Sequence, residues 1–161
     1  MNRFVKELEK VQLTLGVIFL SIFFIVIMIQ ITTRHLGIPV IWTGELANYS
    51  FIWAIFMGAA VMVNRREHFN FDFFLKRLKG KARILLSIFN DLVLILFTIA
   101  IFYYGIQVVQ KFWDYNWTAL PEMKMGYVWL SIPIMGGTMI IYTLSHLVNH
   151  VKSWKEKGAG E

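Results

Sequence analysis

Cysteine is missing from this chain of 161 residues, and its absence excludes disulfides, cysteine-bound zinc, iron–sulfur clusters and thiol redox chemistry. Charge is also sparse: aspartate, glutamate, lysine and arginine make up 16% of the residues, against about 25% in ordinary soluble domains. Hydrophobic residues reach 57%, and the mean hydropathy is +0.58. Because the apolar residues are collected in long runs, the composition is typical of an integral membrane protein.

Four apolar runs predict four membrane-spanning helices. Each run can cross roughly 30 Å of hydrocarbon at about 1.5 Å per residue, and a backbone in that solvent must satisfy its own hydrogen bonds. The first run follows a basic start, but it is longer than the apolar core of a signal peptide, so we interpret it as a helix. We predict one all-α membrane domain, residues 1–161, with helices at about 11–33, 44–64, 84–110 and 125–151.

The distribution of basic residues predicts the orientation of these helices. With four crossings, thirteen of the 16 lysines and arginines fall at the end that carries both termini, and three fall at the other end. Positive charge is retained on the cytoplasmic side, so we expect both termini to lie in the cytoplasm. The net charge of +6 then needs no nucleic-acid partner to explain it.

The loop between the second and third spanning helices carries an amphipathic pattern. Over residues 68–80, four apolar side chains share one helical face: Phe71, Phe74, Leu75 and Leu78. Lysines on the opposite side would meet anionic lipid headgroups. We therefore predict an interfacial helix on the cytoplasmic surface, anchored in the membrane lipids by these four residues.

A glutamate at the start of the second helix is the first candidate for a functional side chain. Glu45 lies near a helix N-terminus, where the helix dipole and water stabilise a carboxylate, and Thr43 is placed to cap the same turn. Gly37 and Pro39 would fold the preceding loop so that Arg34 meets Glu45. We favour this structural ion pair over the alternative, a ligand for an ion or a substrate, because charge is tolerated at the membrane edge.

An aspartate inside the third apolar run is the second candidate. Asp91 lies about 12 Å along its helix, where an unpaired carboxylate costs a few kcal/mol. It shares a helical stripe with small and polar residues at spacings of 4, 7 and 7: Ser87, Thr98 and Gly105. One interpretation is a proton or sodium path, which normally needs several such ligands. The favoured one is an ion pair with a nearby base, Arg65, Arg66 or Arg83.

The histidines and the small residues complete the candidates. His146 and His150 are one turn apart, but histidines that hold a haem should face each other from two helices, so we expect no cofactor, no metal and no enzymatic activity. Small residues let membrane helices approach closely, and Pro133 should kink its helix. We predict packing against a larger membrane partner through six residues: Trp53, Ala54, Gly58, Ala59, Pro133 and Gly137.

The region from Arg34 to Asp72 resembles the small membrane subunit of tripartite ATP-independent periplasmic (TRAP) transporters, the DctQ-like family. The family pattern has an arginine after the first helix, a tryptophan and glutamate opening the second, and then a tryptophan, a glycine–alanine pair, a basic exit, a histidine and an aspartate. The matching residues here are Arg34, Trp42, Glu45, Trp53, Gly58, Ala59, Arg65 or Arg66, His68 and Asp72. The layout of four helices matches over nearly the whole chain, whereas the family gives Asp91 no role.

The resemblance implies a small subunit of the bacterial inner membrane that enlarges the fixed scaffold of a transporter. It would bind a large elevator-type membrane subunit that carries the substrate and sodium sites, and a periplasmic binding protein would deliver an organic acid such as sialic acid or a C4-dicarboxylate. Two other readings of the residues stay open. One is a haem-binding membrane anchor of a respiratory complex, and the other is a self-assembling four-helix transporter or channel coupled through Asp91.

Overall fold

The computed structural model describes residues 3–38, 40–66 and 80–158. Four helical segments are long and apolar enough to span a membrane, which confirms the predicted all-helical architecture for this part of the chain. The interfacial helix predicted for residues 68–80 lies outside the described residues, except for Gly80. The helices are α1 (Arg3–His35), α2 (Trp42–Arg65), α3 (Gly80–Phe112), the short α4 (Gly126–Trp129) and α5 (Ser131–Gly158).

Several helices extend past the apolar runs that predict them. α1 begins at Arg3 and not near residue 11, because lysine, glutamate and leucine in its first turns are good helix formers. The last span is divided, with α4 ending at Trp129 and α5 beginning at Ser131. Pro133 accounts for this division, because a proline ring clashes with the carbonyl four residues earlier, which here belongs to Trp129.

The spanning helices lie side by side in the order α1, α2, α5, α3. The most extensive packing is between α1 and α2 and between α3 and α5, and α2 packs on α5 to join these two pairs. Within the described residues, α3 packs on neither α1 nor α2, so it forms one edge of the row. The first helix touches α5 only slightly and forms the other edge.

The buried core lies where α1, α2 and α5 meet. It contains Val5 of α1, Ala60 and Val63 of α2, and Met135, Met139 and Tyr142 of α5. These contacts, together with that between Asp91 of α3 and His150 of α5, place the beginnings of α1 and α3 at the same end of the row as the ends of α2 and α5. We call this the termini end, and we call the opposite end, with segments 36–41 and 113–125, the loop end.

The edge helices turn most of their large apolar side chains outward. In the most apolar stretch of α1 only 6% of the residues are buried, and in α3 only 22%, compared with 44% in the span Gly126–Trp154. The outward residues of α3 include Phe89, Leu96 and Phe97. Such faces are compatible with water-free surroundings only, so lipid or another membrane protein must cover them.

Candidate functional site

Glu45 joins the start of α2 to a distant loop at the loop end. Its Oε1 accepts the backbone N–H of Thr118 at 2.9 Å, and its Oε2 accepts that of Ala119 at 2.9 Å. Both bonds are charge-assisted, and the carboxylate also lies in the first turn of α2, where the helix dipole favours a negative charge. Glu45 therefore holds residues 118–119 against α2, and we call this pair of hydrogen bonds the clip.

The loop is folded so that these two N–H groups can reach the carboxylate. Trp117 donates its N–H to the Met123 carbonyl at 2.9 Å, and Met125 donates to the Tyr115 carbonyl at 2.7 Å, which makes a short hairpin. A turn from Leu120 to Met123, closed by a 2.9 Å bond, connects its two sides. Pro121 occupies the second position of this turn, where its fixed φ is favourable.

Aromatic residues hold the hairpin against α2 and α4. The Trp117 ring is buried and meets the Tyr49 ring edge-on at 4.5 Å. Trp113 covers Gly126 so closely that a Cβ at this glycine would lie 2.4 Å from its Cε3 atom. The Trp53 Nε1–H donates to the Tyr127 carbonyl at 3.1 Å. Segment 113–125 is thus packed against the helices and is not a loose linker.

The partner of Glu45 differs from the one that the sequence suggests. Arg34, exposed in the last turn of α1, forms no ion pair with Glu45 in the structure as described; each carboxylate oxygen accepts a backbone N–H group instead. Thr43 also acts differently from the prediction. Its hydroxyl donates to the Val40 carbonyl at 2.7 Å and does not cap α2.

Asp91 lies in a polar cluster at the termini end. Arg66 Nη2 donates to Asp91 Oδ1 at 3.1 Å, and His150 Nδ1 lies 2.8 Å from Asp91 Oδ2. The carboxylate is 9% exposed, so this pairing removes most of the cost of placing a charge there. Arg66 is one of the three bases that the sequence offers for this role, whereas the contact between His150 and Asp91 is not predicted by the sequence.

Neighbouring residues extend the cluster to α1. Glu9 accepts hydrogen bonds from Asn64 Nδ2 at 2.6 Å and from Arg65 Nε at 2.7 Å. His146 Nε2–H donates to the Asn64 carbonyl at 2.9 Å. The cluster therefore connects all four spanning segments at one end. Among the residues that the structure describes, no three histidine or carboxylate side chains are grouped to hold a metal ion.

A third polar contact, near the middle of the row, is one that sequence reasoning missed. Gln12 of α1 is 3% exposed, and its Nε2 donates to Thr138 Oγ1 at 2.9 Å. The Tyr142 hydroxyl donates to Gln12 Oε1 at 2.5 Å. The available signal was an amide side chain close to the start of a long apolar run, where an unpaired amide is costly.

The arrangement is therefore a row of membrane helices held together by polar contacts at both ends and in the middle. Residues 23–153 match the family described as tripartite ATP-independent periplasmic transporters, DctQ component. The chain belongs to this family. As a DctQ-component chain with four spanning-type helices, it is a multi-pass protein of the inner membrane.

Curated relatives of this DctQ-component chain are transporter proteins. It is 30% identical over 126 residues to the sialic acid TRAP transporter small permease protein SiaQ of Vibrio cholerae, covering 76% of this chain and 71% of the relative. It is 24% identical to the sialic acid TRAP transporter permease protein SiaT of Haemophilus influenzae, over 78% of this chain and 20% of the relative. It is also 24% identical to the isethionate TRAP transporter permease protein DctMQ of Oleidesulfovibrio alaskensis, over 83% and 22%.

Most of the residues proposed for packing against a larger partner pack within this DctQ-component chain. Gly16 of α1 lies opposite Ala54, and a Cβ at Gly105 would lie 3.1 Å from the Pro133 nitrogen. A Cβ at Gly137 would lie 3.3 Å from the Phe102 ring. These close approaches arise because small residues let two helices of the same chain come together.

Of the other three residues in that set, two also pack within the chain and one does not. Trp53 stacks on Phe19 of α1 with ring centroids 5.2 Å apart, and Ala59 packs against the buried core. Gly58 differs, because a Cβ built on it meets nothing within 4 Å. It therefore leaves a notch open on the outward side of α2.

Proposed function

We propose that this chain is the small scaffold subunit of a TRAP transporter, bound to a large elevator-type membrane subunit that carries the substrate path. The proposal rests on how the side chains of the row are arranged. The polar side chains form hydrogen bonds with one another, and the large apolar side chains face outward. A chain built in this way offers a fixed surface to a partner. It offers little polar lining for a path of its own.

The lengths of the relatives support the association with a second membrane component. In two of them the region matching this chain amounts to 20% and 22% of a much longer permease. The remaining four-fifths of those permeases can supply what a four-helix scaffold lacks. We infer that in the present protein this larger component is a separate chain held by non-covalent contacts.

We propose that the large subunit packs on the outward face of α2. This face carries Phe51, Ile55 and Met62, which are between 40% and 48% exposed, with Gly58 in their midst. A glycine between large apolar residues gives a partner helix a notch in which its backbone can come close. We therefore propose Gly58, the one residue of the predicted packing set whose Cβ position is open, as the centre of the partner contact.

For the transported substrate we propose an organic anion, imported together with sodium and delivered by a periplasmic binding protein. The named relatives transport sialic acid and isethionate, both of which are acids, and a C4-dicarboxylate would belong to the same class. Glu45 and Asp91 are engaged in hydrogen bonds within this chain, so we assign the sodium and substrate sites to the large subunit.

We propose further that both termini lie in the cytoplasm. The basic residues gathered at the termini end support this orientation through the preference of positive charge for the cytoplasmic side. Segment 68–80 would then rest on the inner surface of the membrane, with Phe71, Phe74, Leu75 and Leu78 inserted among the lipids. Labelling of single cysteines at the two ends of the row checks the orientation.

The scaffold function is tested by isolating the protein with its partner. The chain, tagged and expressed at its native level in its own host, is extracted in mild detergent. We expect a large multi-helix membrane protein at near-equal amounts. We expect Gly58→Leu to retain less than about a tenth of that partner while the amount of the subunit itself is unchanged, because nothing in the chain occupies the notch.

Two results would contradict the scaffold function. If the chain is recovered alone and self-associated, it acts as an independent transporter or channel. If the preparation has a haem absorption band that is lost when His146 is replaced, the chain is a respiratory membrane anchor.

A further inference from the structure

A groove opens at the termini end between the first turns of α1 and the second half of α5. Its volume is about 270 Å³. Phe4 forms one wall, and Ile141, Leu144 and Val148 form the other, with the buried Val5 at the base. The groove exists because α1 and α5 both pack on α2 and only slightly on each other.

A stripe of polar residues runs along one wall of this groove. Ser145, Asn149 and Lys152 lie on the same side of α5, at i, i+4 and i+7, and all three line the groove. None of the described lining residues is acidic. The electrostatic character of the groove is therefore set by the lysine ammonium group, which suits a ligand with a negative charge.

The hydroxyl and amide groups of this stripe are available to a ligand. Four other residues of α5 with a side-chain hydroxyl donate it to a backbone carbonyl of the preceding turn: Ser131, Thr138, Thr143 and Ser153. The side chains of Ser145 and Asn149 make no hydrogen bond with any residue that the structure describes. A serine in a membrane helix normally forms this bond to the preceding turn, so its absence at Ser145 leaves a donor facing the groove.

We propose that the groove binds a glycerophospholipid with an acidic headgroup. Lys152 would pair with the phosphate, and Ser145 and Asn149 would donate hydrogen bonds to the glycerol and ester oxygens. The acyl chains would continue along Ile141 and Leu144 towards the middle of the membrane. The seven residue steps from Ser145 to Lys152 rise about 10 Å, slightly more than the roughly 5–8 Å of one interfacial layer.

The geometry of the groove distinguishes this ligand from a free phosphate ion. An inorganic anion would use Lys152 alone, whereas the apolar walls and the two deeper polar groups match a molecule that has both a charged head and hydrocarbon chains. The site is formed by two helices of this chain, so it does not depend on the proposed large subunit.

The test is a lipid titration of the purified full chain, delipidated in detergent and observed by native mass spectrometry. With dioleoyl phosphatidylglycerol we expect saturable binding of one lipid per chain, and with dioleoyl phosphatidylcholine at least fivefold weaker binding. Glycerol 3-phosphate should neither bind nor compete. Lys152→Ala should weaken binding of phosphatidylglycerol about fivefold, which is the attraction expected of one lysine near an anionic headgroup.

Two further variants separate the groove from the charge of the surface. Ser145→Leu fills the groove and should abolish the saturable binding. If the larger residue prevents folding, Ser145→Ala is the milder variant to measure. Lys10→Ala is the matched control, because Lys10 is an exposed lysine of α1 that does not line the groove. Equal binding of the two lipids, equal effects of Lys152→Ala and Lys10→Ala, or displacement by glycerol 3-phosphate would each overturn the proposal.

Discussion

Glu45 acts on a part of the chain that lies more than seventy residues away. Most helix-capping side chains satisfy N–H groups of their own helix, but both oxygens of this carboxylate accept N–H groups from the tip of the hairpin. The contact leaves the negative charge at the positive end of the α2 dipole, so two favourable electrostatic interactions coincide. Glu45 therefore stabilises the loop end.

Glu45→Gln should destabilise this clip without changing ion coupling. The amide offers one acceptor and places an NH2 group against the second backbone N–H, so one charge-assisted bond is lost, at about 1.5–3 kcal/mol. We expect the melting temperature of the purified subunit to fall by roughly 3–12 °C. Glu122→Gln, at an exposed position in the same hairpin, is the control and should have no effect.

Uptake measurements on the complex complete this test. With Glu45→Gln, transport should decrease in proportion to the amount of assembled complex, and its dependence on sodium concentration should stay as in the wild type. A changed sodium dependence would show that Glu45 takes part in ion coupling, contrary to the structural role.

The sequence was informative about which residues matter and less so about their partners. Glu45 and Asp91 were recognisable because a carboxylate is costly at a membrane helix. The base for Asp91 could be narrowed to three arginines because each lay near the same membrane edge. The partners of Glu45 could not be found, because Thr118 and Ala119 contribute backbone N–H groups, which any residue except proline has.

At the scale of elements, α3 shows how a spanning helix differs from a soluble one. Its buried stripe consists of the small and polar residues at spacings of 4, 7 and 7, and its large apolar residues face outward. The predicted stripe is confirmed: Ser87, Asp91, Thr98 and Gly105 are all buried. In a membrane, close approach of two backbones is the main gain from helix packing, so small residues lie at the contact.

Close backbone contact between α3 and α5 makes one glycine indispensable. A Cβ at Gly136 would lie 3.0 Å from the backbone nitrogen of Phe102, which cannot move independently of α3. We expect Gly136→Leu to lower the free energy of unfolding by about 1–3 kcal/mol, which is the usual cost of overpacking. The measurement is thermal unfolding of the purified subunit, followed by tryptophan fluorescence.

Gly58→Leu is the matched control for that variant. It makes the same change inside another spanning helix, but at a position where a Cβ meets nothing. It should leave the unfolding of the isolated subunit unchanged, although it releases the proposed partner. Equal losses of stability in both variants would contradict the assignment of Gly136 to a close contact between helices.

The exact ends of the elements were harder to foresee than their existence. Apolar length predicts where a helix crosses the membrane, but α1 continues into a charged segment whose helicity depends on local propensity. The interruption at Leu130 arises from Pro133, and the sequence indicated a kink without its position. The order of the helices in the row depends on contacts between distant segments. The pattern of apolar and polar residues does not show which of those segments meet.

At the scale of the whole molecule, the two ends of the row have different chemistry. The termini end has the partly buried cluster of Arg66, Asp91 and His150, and the loop end has tryptophans, tyrosines and the clip at Glu45, with one exposed ion pair between Lys124 and Asp114. The proposed orientation places the first end in the cytoplasm and the second in the periplasm. This difference in surroundings is directly measurable because the chain has no cysteine of its own.

Two single-cysteine variants report the orientation. Glu122→Cys lies in the hairpin at the loop end, and Ser153→Cys lies near the end of α5; both positions are exposed. A membrane-impermeant maleimide added to spheroplasts should label the first and not the second, and permeabilisation should make both react. Labelling of Ser153→Cys alone in intact spheroplasts would reverse the proposed topology.

The division of the row into two pairs of helices has a consequence for synthesis at the ribosome. α1 and α2 emerge first, joined by a short loop, and already contain most of each other's contacts. α3 and α5 follow as a second pair, so each pair can enter the membrane as a hairpin before the two dock through α2 and α5. Glu45 must wait for Thr118 and Ala119 to be translated, so the clip can form only late in biogenesis, after α3 has been made.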